Sequence, residues 1–149
     1  MASTFRSFVW DPFLILSQIF CMITVFYSVQ CFLMTVYGYF GAFQPSLHFI
    51  FAVQVFRPMI IVQLLTSLAV AFALATIVQR AKQCLDFVCT IHFWHLIAVI
   101  CYTRSFPMQI SWWIVQFVCI VLSTVLGEYL CMRIETRDIP LSTNPRMEV

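Results

Sequence analysis

Ile60 to Lys82 reads I-I-V-Q-L-L-T-S-L-A-V-A-F-A-L-A-T-I-V-Q-R-A-K. The nineteen residues Ile60–Val78 carry no charge, and Arg80 and Lys82 follow at once. As a helix, such a run rises about 28 Å, close to the thickness of a bilayer's hydrocarbon core. An uncharged run of this length ending on two cations reads as a membrane span that stops at an interface. Ser67, Ala71 and Ala75 recur four residues apart along it and put small side chains on one face, where another helix can approach closely.

The rest of the chain repeats this pattern. Only 9% of the 149 residues are charged and 62% are hydrophobic. A soluble domain carries about 25% charged residues, so this chain lacks the polar groups to cover a water-facing surface. Phe13–Tyr37 contains no charge and is long enough to cross the membrane with some tilt. Asp11-Pro12 suits its start, because proline is tolerated in the first helical turn and a carboxylate favours the positive end of the helix dipole. Leu85–Tyr102 and Met108–Leu130 complete four spans, with Trp112-Trp113 placed where an aromatic belt belongs. The expected fold is an all-α membrane protein, a bundle of four transmembrane helices. Its segments are a tail 1–12, spans 13–37, 60–78, 85–102 and 108–130, a loop 38–59, turns 79–84 and 103–107, and a tail 131–149. Within the loop, Leu47–Phe56 suits a short interfacial helix. The second tail is expected to stay helical for a turn or two and then become disordered.

Four spans put both termini and the 79–84 turn on one side. That side holds Arg6, Arg80, Lys82, Arg133, Arg137 and Arg146, against Arg57 and Arg104 on the other. The positive-inside rule therefore places both termini in the cytosol and the 38–59 loop in the lumen. The first twelve residues read as a cytosolic tail, not a cleaved signal, because the apolar run behind them is too long. Met1-Ala2-Ser3 also lacks the glycine that myristoylation requires.

Polar groups inside the spans need partners. Asp86 and Glu128 are expected just beneath the cytosolic boundary, with at least one paired to Arg80, Lys82 or Arg133. His92 and His95 share a face of the third span. They are placed level with Ser123 and Thr124 and with Ile120, as neutral rings bonded to a neighbouring helix. Asp86, His92, His95, Gln116 and Glu128 are thus candidates for intramembrane polar packing. Ser17, Thr24 and Ser28 either mark a packed face of the first span or bond their own backbone.

The same residues allow sharper chemical readings. Cys89-x-x-His92-x-x-His95 lines up three potential zinc ligands, but a fourth ligand and its supporting shell are not evident. No metal or other cofactor is therefore expected. A proton relay through Asp86, His92, His95 and Glu128 makes a small proton- or ion-handling protein one alternative; a structural subunit of a larger membrane complex is another. No H-E-x-x-H, G-x-S-x-G or P-loop pattern appears, so no catalytic residues are assigned and an enzyme is not expected. The net charge of +2 gives no footprint for nucleic acid. The seven cysteines are odd in number and scattered, against a disulfide framework. Cys84 and Cys131, at the edges of spans, are conceivable palmitoylation sites.

Several blocks in order resemble the SYS family, small four-span Golgi trafficking membrane proteins. They are Phe5-Arg6-Ser7 with Val9-Trp10-Asp11-Pro12, then Lys82-Gln83-Cys84-Leu85-Asp86-Phe87 with His92-Phe93 and His95-Leu96. Trp112-Trp113, Val115-Gln116 and Gly127-Glu128-Tyr129-Leu130-Cys131-Met132-Arg133 follow. The segment from about Thr35 to Val78 looks divergent. The resemblance implies a multi-pass receptor of the Golgi, in the trans-Golgi network, that helps recruit an Arf-related small GTPase. That GTPase, acetylated and not myristoylated at its amino terminus, brings golgin tethers that capture endosome-derived vesicles. The family supplies no catalytic residues. Topology makes the cytosolic residues Arg6, Trp10, Asp11, Arg80, Lys82, Gln83, Arg133, Glu135 and Arg137 the candidate docking surface.

Overall fold

A computed structural model describes residues 12–41, 44, 46–54 and 56–137. Four of its helices are long and apolar enough to cross a membrane, and no strand occurs among the described residues. The all-helical, four-span expectation holds. Helix α1 spans Pro12–Gly41, α2 Leu47–Ile50, α3 Arg57–Ala73, α4 Cys84–Thr103 and α5 Ile110–Arg137. The interfacial helix is a single turn, shorter than the Leu47–Phe56 expected. Ser46 caps it by accepting from the His48 N–H.

Helices α1 and α5 lie apart, and α3 and α4 each pack against both of them. The inward face of α1 is one row, Met22, Phe26, Gln30, Met34 and Gly38, four residues apart. Such a row runs along the side of a helix as a single ridge. Ser67 and Ala71 on α3, and Ala75 in the π-helical turn that follows it, are buried as their small size suggested, and α5 lies close enough for Ser123 Oγ to donate to the Ser67 carbonyl at 3.1 Å. The core divides by depth. Met22, Phe26, Val70, Leu74, Phe87, Val88 and Ile91 pack towards the 79–84 turn. Met34, Ile50 and Val62 pack at the other end, beneath α2.

The two tight turns share a device. Helix α3 ends in one π-helical turn, Leu74–Val78, after which Gln79 takes a left-handed backbone, φ 54°, and its N–H donates to the Leu74 carbonyl. Helix α4 ends at Arg104, φ 52°, whose N–H donates to the Ile100 carbonyl. Glycine usually fills such positions. At Gln79 the side chain offsets the strain by donating from Nε2 to the Thr76 carbonyl at 3.2 Å.

Candidate functional site

The turn between α3 and α4 is short and built. After the π turn, Arg80 is extended, Ala81–Gln83 form one 3-10 turn, and α4 begins at Cys84. Three contacts fix it to the bundle. Gln18 of α1 donates from Nε2 to the Ile77 carbonyl at 3.2 Å. Cys84 Sγ lies 3.5 Å from the Arg80 carbonyl and 3.5 Å from Cys131 Sγ on α5. Gly127 of α5 lets Leu74 pack against bare backbone, where an added Cβ would come within 2.9 Å of Leu74 Cδ1. The turn therefore presents Arg80 and Lys82, both exposed, and Gln83, half-buried, in a fixed geometry. Arg133 is exposed on the last turns of α5, beyond Cys131 and hence at the same end of the bundle. Of the other docking candidates, Arg6, Trp10 and Asp11 lie outside the described residues, and Glu135 and Arg137 are described in backbone only, within α5.

The carboxylates behave differently from expectation. Among the described residues neither Asp86 nor Glu128 forms an ion pair with Arg80, Lys82 or Arg133. Asp86 is exposed in the first turn of α4, where the helix dipole already favours a negative charge. Glu128 is half-buried, one residue beyond the close α3–α5 approach at Gly127.

The histidines are interior. His92 Nδ1 lies 2.8 Å from Gln116 Oε1, so the ring donates and the amide oxygen accepts. His95 Nδ1 lies 3.4 Å from the Tyr27 hydroxyl. Phe26 sets its edge or face against both rings, with centroids 5.9 and 5.5 Å away, and Phe51 stacks on His95. Gln116 therefore partners His92 as a packing residue. This partner lies about two turns nearer the start of α5 than Ser123 and Thr124, the residues expected level with His92. Counting residues from the span ends takes the helices as parallel and ignores the reach of long side chains. Cys89 is exposed on α4, and no three metal-binding side chains converge among the described residues.

Sequence reasoning passed over the glutamines that do most of the interior pairing. Gln30 Nε2 donates to Gln63 Oε1 at 2.8 Å across the α1–α3 interface. The signal was available: a lone amide in the middle of an apolar run needs a partner there. Ser17 and Thr24, read as possible interface residues, bond the Leu14 and Phe20 carbonyls of their own helix and are exposed, as is Ser28. Both candidate palmitoylation sites, Cys84 and Cys131, are fully buried, which withholds their thiols from acylation in this fold.

Comparison with known proteins gives a consistent result. The family described as "Integral membrane protein S linking to the trans Golgi network" (SYS1) matches residues 5–141. The chain is 38% identical to Protein SYS1 homolog of Nematostella vectensis, over 95% of this chain and 94% of that protein. It is 34% identical to Protein SYS1 homolog of Dictyostelium discoideum, over 89% of this chain and 60% of that longer protein. No solved structure matches. The family description is that of a membrane protein of the trafficking system, not of an enzyme.

Proposed function

The chain belongs to the SYS1 family of integral membrane proteins linking to the trans-Golgi network, and from that premise we propose that it is a Golgi receptor for an Arf-related small GTPase. Its working surface is the cytosolic end of the bundle: the Arg80–Gln83 turn with Arg133 and the two tails. The GTPase, once held there, brings golgin tethers to endosome-derived vesicles. The protein acts by docking and performs no catalysis. Both termini are cytosolic, following the excess of Arg and Lys at that end.

The observation that carries this reading is the turn itself. A connection of this length between antiparallel spans needs no reinforcement to join them. This one is nevertheless held by Gln18, by the Cys84–Cys131 contact and by the Leu74–Gly127 approach, while Arg80 and Lys82 stay exposed. A pre-set, cationic, exposed turn suits binding, because little ordering remains to oppose association. The interior histidines, engaged with Gln116 and Tyr27, favour a packing role over an ion path.

The test is charge reversal, Arg80→Glu with Lys82→Glu, in cells lacking the endogenous protein. The variant is expected to remain on the Golgi while the GTPase becomes cytosolic. A GTPase that stays on Golgi membranes would remove the turn from the docking surface. Arg104→Glu, at the opposite end of the bundle, is the matched control and is expected to leave recruitment unchanged.

A further inference from the structure

At the end of the bundle opposite the basic turn lies a cavity of about 30 Å³, between the segment after α2 and helices α3, α4 and α5. Gln54, Gln63, His95, Trp112 and Gln116 contribute to its wall. Gln54 is exposed at the rim. Gln63 and His95 are 7% and 2% exposed, so the cavity leads from the surface to the buried pair.

Gln63 gives up its Oε1 to Gln30, and its Nε2 then finds no protein acceptor. A buried amide N–H without an acceptor is strongly unfavourable, and lipid offers none. The cavity exceeds the roughly 10–15 Å³ that one water needs, and a water is held where two to four polar partners surround it. Those partners are here. Gln63 Nε2 donates. Gln116 Oε1 takes one proton from His92 and keeps a second lone pair. The His95 ring lines the wall beside it. By contrast, the groove between α1 and α4, lined by Leu16, Ile19, Phe20 and Trp94, is about 360 Å³ and almost wholly apolar.

We infer that the cavity is a water-binding site: its water accepts from Gln63 Nε2, donates to Gln116 Oε1, and carries solvent to His95 from the α2 side of the membrane. The site is independent of GTPase docking, which concerns the other end of the molecule.

The test is hydroxyl-radical footprinting by X-ray radiolysis on the full chain in lipid nanodiscs. Ordered water delivers radicals to side chains beside it, whereas lipid does not. Trp112, 6% exposed but lining the cavity, is expected to be oxidised several-fold faster than Trp94, 49% exposed but facing lipid. Equal rates at the two tryptophans overturn the proposal. Gln63→Leu, in a preparation shown to be folded by its thermal unfolding curve, is expected to lower Trp112 oxidation several-fold. An unchanged rate in that folded variant also overturns it. If the variant fails to fold, the wild-type comparison decides alone.

Discussion

Gly127 and Leu74 offer a sharp test of how the basic turn is held. A Cβ at position 127 would stand 2.9 Å from Leu74 Cδ1 and 3.6 Å from Leu74 Cβ. Carbon atoms rest at about 3.5–4.0 Å, so the new methyl intrudes by about 0.6–1.1 Å. Leu74 is fully buried and cannot swing into lipid to make room. Overpacking of this kind costs about 1–3 kcal/mol. Alanine recovers about 1 kcal/mol over glycine in a helix, so Gly127→Ala alone is expected to cost up to about 2 kcal/mol. The sign changes when the clash is removed. Leu74→Ala opens a cavity at the same point, a loss of about 2–5 kcal/mol. In that background the methyl at 127 keeps only ordinary contacts, 3.6 Å to the Cβ of residue 74 and 3.8 Å to Cys84 Sγ, and Gly127→Ala is expected to stabilise by about 1 kcal/mol. The cycle therefore predicts a coupling of about 1–3 kcal/mol between the two sites. Reversible unfolding in bicelles, read on all four proteins, measures it. Gly127→Ala having the same effect in both backgrounds would refute the close approach of α5 to the π turn, and with it this account of the turn's rigidity.

Three further outcomes follow from interior contacts. Gln30→Leu and Gln63→Leu each strand a buried polar partner and are expected to cost about 1–3 kcal/mol alone. The double substitution, which replaces both ends with apolar groups, is expected to cost less than the sum in the same unfolding assay. Ser123→Ala removes a bond to the α3 backbone and is expected to cost about 0.6 kcal/mol, whereas Ser17→Ala, which loses only a bond within its own turn, is expected to cost less. Labelling with a clickable palmitate analogue is expected to be unchanged by Cys84→Ser or Cys131→Ser. A loss of label in either would show that these thiols become accessible.

Four uncharged runs and the small residues Ser67, Ala71 and Ala75 made the spans and one interface legible in the sequence. Helix facing was far less legible, for a physical reason. In a soluble helix the apolar stripe marks the inside. In lipid both faces are apolar, so Leu16 and Phe20 facing outwards resemble Met22 and Phe26 facing inwards. Only polar side chains discriminate, and they do so by reach. Ser17 and Thr24 are short enough to bond their own helix, while Gln18 is long enough to cross to the π turn and Gln30 to α3. Among the described residues neither Asp86 nor Glu128 pairs with Arg80, Lys82 or Arg133, and Asp86 is exposed in the first turn of α4, where the dipole already favours a carboxylate. The π turn at Leu74–Val78 left no compositional mark. It begins at Leu74, which packs against Gly127, and ends where the chain reverses at Gln79 without a glycine. The basic turn was legible as a charge cluster, but its fixed geometry was not.

The central claim is that the GTPase meets this protein at the Arg80–Gln83 turn. A photocrosslinking residue placed at Lys82, in native Golgi membranes supplied with the GTP-bound GTPase, tests it most directly. The account predicts an adduct from position 82, its loss with the GDP-bound form, and none from the same residue placed at Arg104. No adduct at 82, or equal adducts at 82 and 104, would contradict it.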